Sequence, residues 1–222
     1  MELTALWLSL RLALATVLVL GPLGILAGRW LAVREFRGKA FVEALVALPL
    51  VLPPTVLGYY LLVAFGQASP LGQAWQAVFG RPLVFTFEGL LLASIIFNLP
   101  FASQSMQRAF EAIPQDVRDA AQCCGMSPWQ ALRRIELPLA WPGIVTAMVL
   151  SFAHTLGEFG IVLMVGGNIP GETRTIAISI YDRVQALDDT AAAKMSALLL
   201  AISMLAIGAT FYLSRRMARR LG

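Results

Sequence analysis

Five long runs of apolar residues divide the chain: Leu12 to Gly28, Ala44 to about Phe65, Gly89 to Gln107, Leu137 to Gly157 with an extension to about Val165, and Met195 to Ser214. Each is about 17–25 residues long, enough for a tilted helix to cross a bilayer. The second run carries Pro49, Pro53 and Pro54. Interior prolines remove backbone hydrogen bonds and clash with the preceding turn. This run therefore predicts a broken helix, whose freed carbonyls need partners in protein or in a wet cavity. Between the third and fourth runs the pattern changes. From Arg108 to Glu136 the chain is polar and charged and reads as two short helices. Pro114 starts the first, and Gly125 ends it as a left-handed cap. Ser127 caps the second, with Pro128 at its first position and Gln130 three residues after the cap. Pro138 discourages continuation of that helix into the fourth run.

Composition agrees that lipid is the main solvent. Of 222 residues, 58% are apolar and 14% charged, and the mean hydropathy is +0.74. Soluble chains run nearer 45–50% apolar and about 25% charged. A soluble enzyme, a disordered chain and a disulfide-stapled scaffold are all excluded. The first run lacks a strongly basic leader and four similar runs follow it, so it reads as a spanning helix rather than a signal peptide. Little length is left over for a nucleotide-binding domain. The net charge is +4, and there is no basic stripe with interleaved aromatics to suggest nucleic acid.

Charge placement then orients the helices. Arg29, Arg34, Arg37 and Lys39 follow the first run, Arg108, Arg118, Arg133 and Arg134 follow the third, and Arg215, Arg216, Arg219 and Arg220 follow the fifth. These twelve fall on one side, whereas Arg81, Arg174, Arg183 and Lys194 fall on the other. The positive-inside rule predicts an outside N-terminus and a cytoplasmic C-terminus, with Arg11 at the outer edge of the first helix. Trp7, Trp30, Trp75, Trp141 and Tyr212 fall near the expected ends, where amphipathic rings favour the headgroup layer. The adjacent Cys123 and Cys124 are expected to be reduced, cytosolic and engaged in packing.

The polar segment also carries a motif. It reads Asp119-Ala120-Ala121, three residues, Gly125, nine residues, Ile135, one residue, Leu137-Pro138. This resembles the EAA loop, E-A-A-x3-G-x9-I-x-L-P, of permease subunits of bacterial ABC importers. Asp119 stands where that pattern has Glu and keeps the charge. In such permeases the first short helix docks in a groove of the ATPase subunit. The resemblance thus implies a coupling role for Asp116, Asp119, Ala120, Ala121, Gly125, Ile135, Leu137 and Pro138, in a loop of about residues 109–138. Ala120 and Ala121 would allow close approach and Gly125 the turn.

Two further stretches narrow the resemblance. Leu48-Pro49-Leu50-Val51-Leu52-Pro53-Pro54-Thr55-Val56-Leu57-Gly58-Tyr59 is one. Leu156-Gly157-Glu158-Phe159-Gly160, followed by Asn168-Ile169-Pro170-Gly171-Glu172-Thr173-Arg174-Thr175-Ile176, is the other. Together they are similar to the molybdate permeases among oxyanion importers, and less so to the sulfate permeases. The resemblance implies an all-α polytopic membrane protein with the type I ABC importer permease fold, residues 1–222 forming a single transmembrane permease domain. It also implies a bacterial inner-membrane location, a homodimeric pore, two cytoplasmic ABC ATPase subunits and a periplasmic or lipid-anchored molybdate-binding protein. No cofactor is expected on this chain, no metal and no catalytic residue; ATP and Mg would be used by the partner ATPase. The one Gly-Lys pair, Gly38-Lys39, lacks the rest of a Walker motif. Tungstate or sulfate/thiosulfate permeases are the alternatives, and an intramembrane enzyme a remote one.

Ionisable groups inside a span are costly and face a cavity or a partner. Ser151, His154, Thr155 and Glu158 share a three-and-four spacing, so they can line one face of the fourth helix. With Pro53, Pro54 and Thr55 they are the candidate translocation pathway or gate. Their hydroxyls suit a tetrahedral dianion that must be attracted and then released. Glu158 would repel it, so structural pairing is expected, with Arg174 as a partner. One rigid helix cannot turn Ser151, His154 and Glu158 into a hydrolytic triad. Asn168, Glu172, Thr173, Arg174 and Thr175 form a candidate outer loop for receptor contact.

Overall fold

The computed structural model describes residues 3–221, with side chains of the last helix described to Ala209 and at Tyr212. The side chains of Arg215, Arg216, Arg219 and Arg220 lie outside the described residues. Among the described residues the chain is helical, without strands. In order the helices are α1 (Leu3–Val33), α2 (Lys39–Val51), α3 (Pro54–Phe65), α4 (Pro70–Phe79), α5 (Phe87–Glu111), α6 (Gln115–Cys123), α7 (Pro128–Ala131), a π turn at Leu132–Glu136, α8 (Leu137–Gly157), α9 (Gly160–Gly166), α10 (Ile176–Gln185) and α11 (Asp189–Leu221).

Four helices among the described residues are long and apolar enough to cross a membrane, and five spans result if α2 and α3 are taken as one broken span. The expected five runs are all present, mostly longer than the charge-free cores that predicted them. One expectation holds and one changes. The second span is broken where the prolines predict, with a bend of 106° between α2 and α3. The extension of the fourth run to Val165 is not continuous, because the helix stops at Gly157 and restarts as α9. The sequence pattern gave no warning of α4 and α10. Ser69 caps α4 by accepting from Gly72 N at 2.9 Å, with Pro70 at the first position.

Helices α1, α5 and α8 form the centre. Small residues let α1 approach: a Cβ added at Gly24 would lie 2.8 Å from Met106 Sδ, and one at Gly28 would lie 2.8 Å from the backbone nitrogen of Gln107. This is the close packing that small residues permit between spanning helices. These contacts run α1 parallel to α5. The pairing of Gly143 with Ala109, and of Thr155 with Asn98, makes α8 antiparallel to both. Thr86 caps α5, with Glu88 in its first turn and Arg108 in its last, complementing the helix dipole. At one end of the bundle lie Arg29, Arg108, Arg118, Arg133 and Arg134; at the other Arg11 sits over Phe87 and Arg81 pairs with Glu88. The charge asymmetry of the sequence is therefore a real asymmetry of the bundle.

Leu14, Leu18 and Leu26 of α1 and Leu200, Met204 and Leu205 of α11 are exposed. In water such patches would drive aggregation; in lipid they are matched. Trp7, Trp30, Trp141 and Tyr212 are exposed near helix ends, while Trp75 is half-buried and stacked on Phe79. Gly28→Val forces a branched side chain into the α1–α5 contact and is expected to cost about 1–3 kcal/mol. A clear fall in the thermal unfolding midpoint of the detergent-solubilised chain checks it, with Gly80→Ala, in open space, as the control for local strain alone.

Candidate functional site

The arginine-rich end carries the most sharply specified segment of the chain. Pro114 precedes α6 and Asp116 lies in its first turn. Asp116, Asp119 and Ala120 are exposed, whereas Ala121 is buried. The half-buried Val117 of the same helix packs against a cluster that includes Phe110, Ile113 and Leu132. Gln115 Nε2 donates to Asp119 Oδ1 at 2.9 Å. The helix closes with Met126 N donating to Ala121 O at 3.1 Å and Gly125 N donating to Gln122 O at 2.9 Å. Those two bonds are the Schellman closure, and Gly125 occupies its left-handed position at φ +71°. A Cβ at Gly125 would meet nothing within 4 Å, so the backbone angle is what requires glycine there. Ser127 and Gln130 then form a reciprocal capping box.

Pro138 does not end the second short helix. Through the π turn at Leu132–Glu136, α7 runs directly into α8, and Leu137 N donates to Leu132 O. The wider turn makes room for the proline ring, which sits in the first turn of α8. Ile135 and Leu137 are half-buried and Pro138 is exposed. Cys123 and Cys124 are unbridged and exposed, so the expected packing role is wrong. The reason is their place at the very end of α6, past its last buried residue, Ala121.

Glu136 was not among the residues the sequence singled out. It is 3% exposed, and a buried carboxylate is stable only when paired and hydrogen-bonded. Arg29 Nε donates to its Oε2, and Arg29 Nη2 lies 3.3 Å from Oε1. Arg118 Nε lies 3.7 Å from Oε1, while Arg118 Nη2 donates to Phe110 O at 2.6 Å. One acid thus joins α1, α6 and the start of α8. The available signal was a charge inside the apolar run Ile135 to Leu139.

The candidate pathway residues divide into two places. On α8, Ser151 and Thr155 are buried, so they do not line an open wall. Thr155 Oγ1 donates to Ser151 O at 2.8 Å and accepts from Asn98 Nδ2 at 3.1 Å. His154 Nδ1 lies 3.0 Å from Asn98 Oδ1, and its ring packs on Phe97 and Phe101. Asn98, overlooked in the sequence, is the partner that occupies this polar face. Glu158 is not on that face at all. The chain is extended there, and Glu158 Oε1 accepts from Ile161 N at 3.0 Å, capping α9. The expected pair with Arg174 does not form; Arg174 Nε instead donates to Asn168 Oδ1 at 2.5 Å and lies 3.9 Å from Asp182 Oδ2. The helix break points Glu158 at the nearest free backbone donors.

Pro53, Pro54 and Thr55 are exposed at the bend between α2 and α3. The two breaks in the chain lie together. A Cβ at Gly160 would be 2.9 Å from Pro54 Cβ, and Gly58 is seated on Ile161 and Met164. At the opposite end, Thr173 and Thr175 are buried. Ile169 N donates to Thr173 Oγ1 at 3.1 Å, and Ile176 N donates to Ser9 Oγ at 2.8 Å. Thr173 closes the loop on itself and Ser9 of α1 ties its end to the bundle, and of the loop's charged residues Glu172 is the exposed one. Among the described residues no group of three or more His, Cys, Asp or Glu side chains is placed to hold a metal.

A family model described as binding-protein-dependent transport system inner membrane component matches residues 21–219. The molybdenum transport system permease protein ModB of Azotobacter vinelandii is 46% identical over 97% of this chain and 95% of its own. ModB of Escherichia coli K12 is 36% identical over 100% of this chain and 97% of its own. The sulfate transport system permease protein CysT of the same strain is 32% identical over 90% of this chain and 72% of its own. Among solved structures, a chain of a bacterial alginate ABC transporter aligns with TM-score 0.79 at 20% identity, over 97% of this chain and 78% of that one. A chain of the inward-facing MetNI methionine ABC transporter aligns with TM-score 0.76 at 18% identity, over 97% and 95%. At these identities the structural likeness shows the shared fold.

The Glu136 cluster yields a stability test. Arg29→Met leaves a buried carboxylate without its main partner and is expected to cost about 3–5 kcal/mol. The double variant Arg29→Met, Glu136→Met removes the stranded charge and is expected to recover most of that loss. Chemical or thermal denaturation in detergent measures both; equal destabilisation by the single and double variants contradicts the pairing.

Proposed function

The chain belongs to the family of binding-protein-dependent transport system inner membrane components, and we propose that it is the permease subunit through which an ATP-driven importer carries molybdate into the bacterial cytoplasm. It is a multi-pass inner-membrane protein and a transport component rather than an enzyme. The observation that carries the substrate reading is the likeness to the Azotobacter ModB, at 46% identity along nearly the whole of both chains. On this reading the arginine-rich end is cytoplasmic, in accord with the positive-inside rule. ATP and Mg belong to two ATPase subunits on separate chains. A second copy of this permease completes the pore, and a molybdate-binding protein delivers the anion at the opposite face.

The coupling surface is α6. Its outward side, formed by Asp116, Asp119 and Ala120, is exposed and ready for a partner groove, and its inward side is tied to the bundle through Ala121 and Arg118. Gly125 fixes the angle between α6 and α7. Ile135, Leu137 and Pro138 then carry the segment into α8 without a break in the helix. A push on α6 therefore reaches the membrane through packed helices and not through a loose loop.

The transported dianion needs weak, exchangeable partners. His154 and Thr155 are already engaged with Asn98, and Thr155 also with the Ser151 carbonyl, so in this conformation they position helices rather than bind; Ser151 Oγ is buried without a hydrogen-bond partner among the described residues. Thr55 and the N-terminal turn of α3 are exposed at the bend, where the positive end of the helix dipole favours an anion. Glu158 satisfies the start of α9 from within and thereby keeps that second helix end from capturing the dianion. The two breaks pack on each other, so the α3 and α9 segments would shift together when the gate opens.

Reconstitution with the ATPase and receptor subunits tests this reading. ATP-dependent uptake of molybdate is expected, with tungstate competing and sulfate competing weakly; strong sulfate uptake without molybdate uptake reverses the assignment. Gly125→Val places a branched residue at a left-handed position and is expected to reduce uptake at least about tenfold, since strain at such an angle costs 1–3 kcal/mol. The variant should still insert and purify with its partners. Normal uptake by it removes α6 and its turn from the coupling role.

A further inference from the structure

An apolar groove of about 650 Å³ opens at the arginine-rich end between α1 and α7. Leu26 and Trp30 form one wall, Trp129 and Leu132 the other. Arg29 lies in its lining, already committed to Glu136. Arg34 also lines it, is exposed, and makes no side-chain hydrogen bond or ion pair among the described residues. Arg133 stands over the Trp129 ring at 5.9 Å, with no acidic partner among the described residues. The groove therefore grades from hydrocarbon-like walls to indole rings to unneutralised guanidinium groups. That order matches the boundary between acyl chains and headgroups in a bilayer.

We infer that this groove is a binding site for an anionic phospholipid, with one acyl chain along Leu26 and Leu132 and the phosphate at Arg34. Basic pockets beside spanning helices select anionic headgroups because a phosphate gains charge-assisted hydrogen bonds there. A zwitterionic lipid gains less, since its ammonium meets the same arginines. A second copy docking symmetrically would set this cationic rim against itself, which charge repulsion opposes. The site has a structural consequence. Its walls belong to α1 and to the segment that follows α6, so a seated lipid packs the two together beside the Arg29–Glu136 pair. The inference rests on the chain being a membrane protein and not on which anion it carries.

The probes are phosphatidylglycerol and phosphatidylcholine with brominated acyl chains, each titrated into nanodiscs holding the full chain. Quenching of Trp129 is taken as the difference between the unaltered protein and Trp129→Phe. Half-quenching is expected at about a five-fold lower mole fraction of brominated phosphatidylglycerol than of brominated phosphatidylcholine, which corresponds to one arginine near the surface. Arg34→Glu, a change at an exposed side chain, should abolish that preference while leaving quenching by phosphatidylcholine intact. Equal quenching by the two lipids overturns the proposal in favour of ordinary annular contact. A preference that survives Arg34→Glu overturns the assigned headgroup site. Absence of quenching by either lipid, with cross-linking between copies through position 129, overturns it in favour of a protein interface. Transport is not the readout, so failure here leaves the molybdate reading standing.

Discussion

Glu136, shut away from water between Arg29 and Arg118, is the constraint on which the arginine-rich end depends. A carboxylate in that position must keep its partners, because an unpaired buried charge is far costlier than a lost surface contact. Its partners come from two segments distant in sequence, α1 and α6, and Glu136 itself stands at the entry to α8. Helix α6 has nine residues, too few to be stable alone in water. Its place is set instead by this ion cluster and by the apolar seat under Val117. Helix α6, the π turn and the last turn of α1 thus form one unit, whose orientation follows that of the bundle.

The second organising feature is the meeting of two interruptions. Proline imposes the break between α2 and α3, since Pro53 and Pro54 cannot donate to the preceding turn. No proline lies at the break between α8 and α9; there an acid turns back to cap the next helix. The two are matched in place by Gly58 and Gly160, whose missing side chains let the segments touch. Irregular backbone at membrane depth is stable where protein covers it. Here each break supplies part of the cover for the other.

Much of this was legible in the sequence, and the exceptions have a common cause. Long charge-free runs announce spans because the bilayer sets their length. The Schellman turn at Gly125 and the capping box at Ser127 are local chemistry, so spacing alone located them. Pro138 misled because its usual effect assumes an α-helical turn before it, whereas a π turn can accept the ring. The proposed Glu158–Arg174 pair failed because charge matching says nothing of where a broken helix aims its side chains. Asn98 and His154, 56 positions apart, meet only through the packing of α5 on α8. Residues such as Glu136 and Asn98 gain their meaning from partners that no local pattern names.

The uninterrupted path from Pro128 to Gly157 has a mechanical consequence. Thirty residues at about 1.5 Å each make a rod about 45 Å long. Gly143 lies near its middle and sits directly on Ala109. A stiff rod held at its centre is a balanced lever. Displacement of the Ser127 end would reappear at the Glu158 end with similar size and opposite sense, so the segment would transmit direction reversed and amplitude nearly unchanged.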